Sequence, residues 1–221
     1  MHVCVVAEYH ARVAMGGAEY QTALLTDELA NRPGVEVTFV ARHIPDGPAA
    51  SNISYSLRRI GSTRGIHRRG VFFDAGELRR TLEELRPDVI YQQCRQSYTA
   101  VCARYAAWAR VPFFFHVASD SDLDWRWVTM RLSLNTPFDV VECIAGMWGI
   151  RHASHVIAQT ERQRTILKER FGRDAALLVP NFQPLPASLP RKGDGPLRVV
   201  YVANFKEVKR PWLFMDLAES F

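Results

Sequence analysis

Several features that mark large classes of protein are missing from this 221-residue sequence. No apolar run reaches the roughly 18 residues of a membrane-spanning helix. The short apolar segment after Met1 has no basic stretch before it, so a signal peptide is not expected. Internal repeats and low-complexity tracts are also missing. These absences predict a cytoplasmic protein of ordinary globular composition.

Cysteine is scarce and irregularly spaced. The sequence has four cysteines, Cys4, Cys94, Cys102 and Cys143, and none of them forms a CxxC or a Cys/His zinc-binding pattern. We therefore expect reduced thiols, no bound metal and no disulfide framework.

The two common nucleotide-binding loops are missing as well, since the sequence has neither a GxGxxG nor a Walker motif. In their place, Gly16 and Gly17 stand between an apolar run and an amphipathic run. Glycines at this point let backbone N–H groups and the positive end of a helix approach an anion or a sugar closely. A tight turn with no ligand is the alternative interpretation.

Apolar, β-branched runs alternate along the chain with stretches of helical period, which is the pattern of βαβ units. This predicts an α/β fold, a Rossmann-like parallel sheet flanked by helices. Strands are predicted at 2–8, 35–41, 53–57, 88–94, 112–117, 155–158 and 175–179, and helices at 18–31, 74–86, 97–109 and 161–171. Asp74 with Glu77, and Thr160 with Gln163, have the spacing of capping boxes, and Gly172 is a helix stop.

Proline and glycine divide the chain near its end. We predict a Rossmann-like domain at 1–181, a linker at 182–196, and at 197–221 the first β-α unit of an incomplete second domain. That unit is expected to hold a strand at 197–203 and a helix from about Arg210.

Polar residues follow the predicted strands, and the carboxyl ends of parallel strands form one edge where ligands bind. His116 ends an aromatic strand and can exchange a hydrogen bond with a substrate hydroxyl, although a lone histidine there is more often structural. Asp120 and Asp122 can accept from sugar hydroxyls, or cap the next helix. The residues sorted to this edge are Gly16, Gly17, Arg42, His43, Gln96, Ser97, 116–120, Thr160, Glu161 and Asn181.

Five short segments in order along the chain resemble a known family. They are GGAE at 16–19, FFFHVASD at 113–120, ASHVIAQTERQ at 153–163, LLVPN at 177–181 and VVYVANFKEVKRP at 199–211. Together they resemble the GT-B glycosyltransferases, specifically the retaining group called glycosyltransferase family four.

The resemblance implies two Rossmann-like domains, of which the first binds the acceptor and the second binds a nucleotide sugar. It implies that Gly16, Gly17 and Glu19 lie near the acceptor and the donor phosphates, and that His116 is a catalytic residue beside the transferred sugar. It further implies that Lys209 neutralises the leaving diphosphate, with Arg210 as its partner. Asp120, Thr160, Glu161 and Asn181, which follow predicted strands at the shared edge, are predicted to bind the substrate.

One departure from the family pattern concerns the donor side. An arginine usually follows the first strand of the second domain, and this sequence has Asn204 there, so Lys206 or Arg210 would have to replace it. The paired glutamates of the donor site are expected beyond Phe221. The resemblance also implies retention of configuration without a metal, and we expect little turnover from this chain alone.

Two surface features have competing interpretations. A basic cluster, Arg58, Arg59, Arg64, His67, Arg68 and Arg69, suits an anionic membrane or a phosphate-bearing acceptor, or is a solvated loop. An apolar stretch, Trp125, Trp127, Met130, Leu132 and Leu134, continued at 137–148, suits a lipid-linked acceptor, or is core. A non-catalytic glycan- or nucleotide-binding module is the alternative function. Nucleic-acid binding is disfavoured, since no stacking aromatics accompany the arginines.

Overall fold

The computed structural model describes residues 1–61, 74–125, 136–186, 188, 195–196, 198–203, 205 and 209–220. These residues divide into two compact units, Met1–Phe182 and Gln183–Phe221. The assignment of 197–221 to an incomplete second domain stays a prediction.

The first unit is built on one parallel sheet of seven strands in the order β3-β2-β1-β4-β5-β6-β7. The strands are β1 His2–Tyr9, β2 Glu36–His43, β3 Ser56–Arg59, β4 Val89–Gln93, β5 Phe113–His116, β6 His155–Ala158 and β7 Leu177–Leu178. The predicted α/β, Rossmann-like parallel sheet is confirmed.

Helices connect these strands. They are α1 Gly17–Ala30, α2 Ala75–Leu85, α3 Ser97–Ala109, α4 Thr136–His152 and α5 Glu161–Phe171, with α6 Pro211–Glu219 in the second unit. Short 3₁₀ turns lie at Gly47–Ala50 and Asp120–Leu123. As predicted, the Thr160 hydroxyl caps α5 by accepting from the Gln163 backbone N–H, and Gly172 ends it at a φ of 63°.

Both faces of the sheet are buried, as parallel sheets require. Side chains alternate between faces along each strand, so Val5 and Phe39 pack on one side with Leu25 and Leu29 of α1. We call this the α1 face. The opposite face, here the α2–α5 face, carries the larger core of Val6, Ile90, Phe113 and Phe115 with side chains from α2, α3, α4 and α5.

Two glycines allow α3 and α4 to pack closely. A Cβ at Gly149 would lie 2.5 Å from the carbonyl carbon of Thr99, and one at Gly146 would lie 3.3 Å from the carbonyl oxygen of Gln96. Both distances are shorter than ordinary van der Waals contact. The start of α3 is therefore held directly against α4.

Three predictions about local structure are wrong. Asp74 is the N-cap of α2 but makes no capping bond, because its carboxylate accepts from Arg42 and Tyr98 instead. Glu77 accepts from the Gly61 backbone N–H. Residues 198–203 form no strand, and a strand needs a hydrogen-bonded neighbour.

Helix α4 was not predicted, because apolar residues occur all round it and leave no clear helical period. Several residues singled out in the sequence lie outside the described residues, namely Arg64, His67, Arg68, Arg69, Trp127, Met130, Leu132, Leu134, Leu197, Asn204 and Lys206.

Candidate functional site at the carboxyl edge of the sheet

The register of the central strands brings the start of α1 and His116 to the same edge of the sheet. Val6 of β1 is opposite Gln92 of β4, and Gln93 of β4 is opposite His116 of β5. Helix α1 begins at Gly17, after the carboxyl end of β1. Only β4 separates β1 from β5, so the glycine loop and His116 follow strands that are two positions apart.

His116 lies on the α1 face and is 5% exposed. Its Nδ1 shares a hydrogen bond of 2.8 Å with the Tyr91 hydroxyl. Its Nε2 is buried and makes no hydrogen bond of ordinary geometry to a described residue; the Val179 backbone carbonyl lies nearby. Burial lowers the pKa of His116 to about 4, although the Val179 backbone carbonyl acts in the opposite direction. The imidazole is therefore neutral near pH 7.

The two loop glycines differ in their surroundings. Gly16 is the N-cap of α1, and a Cβ there would collide with the Glu19 carboxylate, which lies over the first turn. A Cβ at Gly17 would meet nothing within 4 Å. The missing side chain at Gly16 therefore accommodates Glu19, and open space for another molecule lies at Gly17.

Buried polar atoms without a hydrogen-bond partner concentrate at this edge. Among the described residues, these atoms belong to Gln92, Gln93, Gln96, Ser97 and His116. Each such atom costs about 1–3 kcal/mol when no partner replaces water. Native proteins hold few of them, and those they do hold call for a functional explanation. The Gln92-Gln93 pair inside a buried strand was the signal in the sequence, and it was missed.

Gln93 connects the central strand to α1, because its Oε1 accepts a 2.9 Å hydrogen bond from the Thr22 hydroxyl. The glycine loop lies at the start of the same helix, before Thr22. The polar cluster around His116 and the glycine loop are thus joined through one helix.

Two carboxylates at the edge were also missed. Glu8 accepts a 3.2 Å hydrogen bond from Gln96 Nε2, and burial, followed by the charge of Glu142, raises the pKa of Glu8 to about 7. Burial and the charge of Asp139 raise the pKa of Glu142. Glu8 follows an apolar strand directly, which is a readable signal, but nothing in the sequence pairs it with Glu142.

Several of the other predicted site residues form hydrogen bonds or ion pairs within the fold. Asp120 accepts from Gln163 Nε2 at 3.2 Å and pairs with Arg162 at 3.1 Å. Thr160 is used as the helix cap, and Glu161 is exposed beside Arg164 at 3.7 Å. Asp122 accepts from the backbone N–H groups of Ala118, Ser119 and Arg95, so its role is structural. Asn181 is exposed.

Lys209 and Arg210 lie in the second unit. Arg210 is the N-cap of α6 with a φ of 50°, and the Lys209 carbonyl accepts a hydrogen bond from the Tyr201 hydroxyl. In the basic cluster, Arg58 and Arg59 form ion pairs with Glu84 at 2.8 Å and Asp46 at 2.6 Å.

Two kinds of feature do not occur among the described residues. No group of three or more His, Cys, Asp or Glu residues there is placed to hold a metal ion. Nor is any of the described helices both long enough and apolar enough to cross a bilayer.

A family model described as Glycosyltransferase Family 4 matches residues 15–182. The chain belongs to Glycosyltransferase Family 4. The resemblance inferred from the five segments is thereby confirmed, and the first unit is a glycosyltransferase-type domain. No match was found among proteins of curated function.

Solved structures share the fold of this Glycosyltransferase Family 4 chain at low identity. Sucrose-phosphate synthase from Thermosynechococcus elongatus is 12% identical with a TM-score of 0.55, over 81% of this chain and 47% of that one. UGT2 of Phytolacca americana, complexed with UDP-2fluoro-glucose and pterostilbene, is 9% identical with a TM-score of 0.51, over 82% and 55%. S. aureus MnaA with UDP is 15% identical with a TM-score of 0.50, over 80% and 44%. The chain spans about half the length of these structures.

Proposed function

We propose that this chain is the acceptor-binding part of a retaining glycosyltransferase that transfers a sugar from a nucleotide-sugar donor to a glycan, lipid-linked or small-molecule acceptor. The observation that carries the proposal is the set of buried, unpartnered polar atoms at the carboxyl edge of the sheet, the edge at which His116 and the glycine loop also lie. Family membership supports the reaction class. Two solved structures with this fold contain UDP or UDP-2fluoro-glucose, and a third is a sucrose-phosphate synthase.

We assign His116 the role of forming a hydrogen bond with a sugar hydroxyl. As a neutral imidazole it has one donor and one acceptor nitrogen, and Nδ1 is already used by Tyr91. If the phenol donates to Nδ1, Nε2 carries the hydrogen and donates to the sugar. This hydrogen bond orients the reacting groups without adding a charge.

Negative charge develops on the leaving diphosphate as the sugar becomes oxocarbenium-like, so cations and helix N-termini stabilise the transition state. Lys209 and Arg210 directly precede α6, and we assign them to this diphosphate. We expect Gly16, Gly17 and Glu19 near the acceptor, with Asp120, Thr160, Glu161 and Asn181 at its margin. We expect no metal or other cofactor.

The share of the solved structures that this chain covers supports one further expectation. Because the chain spans about half of the solved structures, we expect it to bind an acceptor and to transfer little or no sugar alone. We place it in the cytoplasm, and contact with an anionic membrane stays a prediction that liposome pelleting tests. The alternative is a glycan- or nucleotide-binding module without catalysis, which transfer by the complete protein would exclude.

Saturation-transfer NMR on the 221-residue chain tests the proposal, with methyl glycosides of glucose, mannose and galactose as probes. We expect at least one glycoside to receive saturation, and we expect His116→Asn to lose most of that signal. His155→Asn is the matched control, because His155 is exposed at the opposite edge of the sheet. No transfer to any glycoside, or equal loss in both variants, would contradict the proposal.

A further inference from the structure

A second polar cluster lies at the same edge on the α2–α5 face. Val6 packs in the core of that face, so Glu8, two residues further along β1, points to the same side. Gln92 is opposite Val6 on β4 and shares this face. Gln96 and Ser97, at the start of α3, follow the carboxyl end of β4.

Glu142 reaches this cluster from α4. Gly146 and Gly149 form the side of α4 that contacts α3, and Glu142 lies one turn before Gly146 on that side. The Ser97 backbone N–H stabilises the charged form of Glu142 and so opposes the rise in its pKa. The Glu142 carboxylate is therefore at the N-terminus of α3, with Glu8 across from it.

The cluster has hydrogen-bonding capacity that the described residues do not use. Gln92 is 0% exposed and neither its Oε1 nor its Nε2 has a partner there. Ser97 is 4% exposed with its Oγ unpartnered, and Gln96 Oε1 is likewise free of a described donor. Carboxylate and amide oxygens only accept, so acceptors outnumber donors in this cluster above the raised pKa of Glu8.

The charged groups around this cluster are mostly acidic. The charged groups that act on Glu8 are Glu142 of α4, Glu19 of α1, Asp74 at the start of α2, and Arg42 of β2. Arg42 forms a buried ion pair with Asp74 at 2.6 Å. With Glu8 itself, and with Asp139 and Arg95, which act on Glu142, five carboxyl groups accompany two guanidiniums.

We propose that Glu8, Gln92, Gln96, Ser97 and Glu142 bind a neutral polyhydroxylated part of the acceptor and reject a phosphorylated one. Sugar hydroxyls donate to the carboxylates and the amide oxygens, and they accept from Ser97 and from the Gln92 amide. A phosphate offers no donor and is repelled by the carboxylates. This inference rests on the proposed function, and it names the class of acceptor for the same sheet edge.

NMR titration of the 221-residue chain at pH 8, above the raised pKa of Glu8, tests it, with methyl glycosides of glucose, mannose and galactose as probes and with the 6-phosphates of the same sugars. We expect the best glycoside to shift the backbone amides of Gln96 and Ser97. We expect it to bind roughly tenfold or more tightly than its phosphate, since hydrogen bonds to charged groups contribute that much each.

The readout is the ratio of the two dissociation constants, which a merely structural role of the carboxylates would not change. Glu8→Gln and Glu142→Gln each keep the size of the side chain and remove a charge, so each should lower this ratio severalfold toward one. Glu36→Gln is the matched control, because Glu36 is exposed at the amino end of β2 and should leave the ratio unchanged.

The outcomes separate this inference from the proposed function. A glycoside that shifts Gly17 and His116 but not Gln96 and Ser97 overturns the inference and leaves the proposed function standing. Equal or tighter binding of the phosphate, or an equal effect of Glu36→Gln, also overturns it. Binding of no glycoside at all overturns both.

Discussion

Two buried polar clusters at the carboxyl edge of the sheet differ in how well their hydrogen bonds are satisfied. In the outer cluster, Asp74 accepts from Arg42 at 2.6 Å and from the Tyr98 hydroxyl at 3.0 Å. In the central cluster, which comprises Gln92, Gln93, Gln96, Ser97 and His116, each side chain has at least one buried atom without a described partner.

The difference separates scaffold from site. A satisfied buried network fixes the position of α2 against β2, and removing one member is expensive. Unsatisfied buried groups reduce stability, and proteins keep such groups where a ligand completes them. We therefore assign the outer cluster to the fold, and we propose that the central cluster serves ligand binding.

The largest effect is expected in the outer cluster. Asp74→Asn removes the carboxylate that faces Arg42, and the side chains of this pair are only 4% and 6% exposed. We expect a loss of about 3–5 kcal/mol in the free energy of unfolding, measured by urea denaturation. In Asp46→Asn the lost ion pair is largely exposed, since Asp46 is 82% exposed, and we expect less than about 1 kcal/mol. Equal losses would show that the outer cluster is not a scaffold.

Glu8 should make stability fall as pH rises. Because its pKa is raised from 4.5 to about 7, the folded state binds more protons than the unfolded state between these values. Glu8→Gln removes this penalty, so the variant should gain up to roughly 3 kcal/mol at pH 8 and nothing at pH 4.

The pKa shift of His116 makes stability depend on pH in the opposite direction. Its pKa is lowered from 6.5 to about 4, so the unfolded state binds more protons there and stability falls as pH decreases through that window. The loss of stability at acidic pH should remain in the Glu8→Gln variant, because that variant keeps His116. Urea denaturation from pH 4 to pH 8 checks both slopes, and a variant with the same pH profile as the parent would show that Glu8 is not desolvated.

A smaller effect of opposite sign is expected in the central cluster. Gln92→Met replaces a fully buried, unpartnered amide with an apolar side chain of similar length. We expect unfolding to become harder by about 1–2 kcal/mol while glycoside affinity falls. Thermal denaturation and the NMR titration together measure this trade-off. Lower stability in this variant would show that Gln92 belongs to the scaffold.

The sequence was sufficient to predict those elements whose structure depends on residues close together along the chain. Helix α3 and strand β6 have the predicted bounds, and α5 has the predicted cap at Thr160 and stop at Gly172, because caps and periodicity are local. The parallel sheet and the shared edge follow from the βαβ pattern.

What could not be predicted depends on contacts between distant residues. Asp74 has the spacing of a cap, but a buried guanidinium from β2 competes for its carboxylate. The charge of Glu142 acts on Glu8 from α4, which two glycines allow to approach α3. The spacing of a capping box or the end of a strand identifies a candidate residue. The packing of the helices determines which partner that residue contacts.

The central claim is that one sugar ligand occupies the space beside both Gly17 and His116. Chemical-shift perturbation with a methyl glycoside, followed at the Gly17 backbone amide and the His116 imidazole of one sample, tests it most directly. We predict that both signals shift together and saturate at the same ligand concentration. Shifts confined to the opposite edge, near Glu36 and His155, or shifts at only one of the two residues, would contradict it.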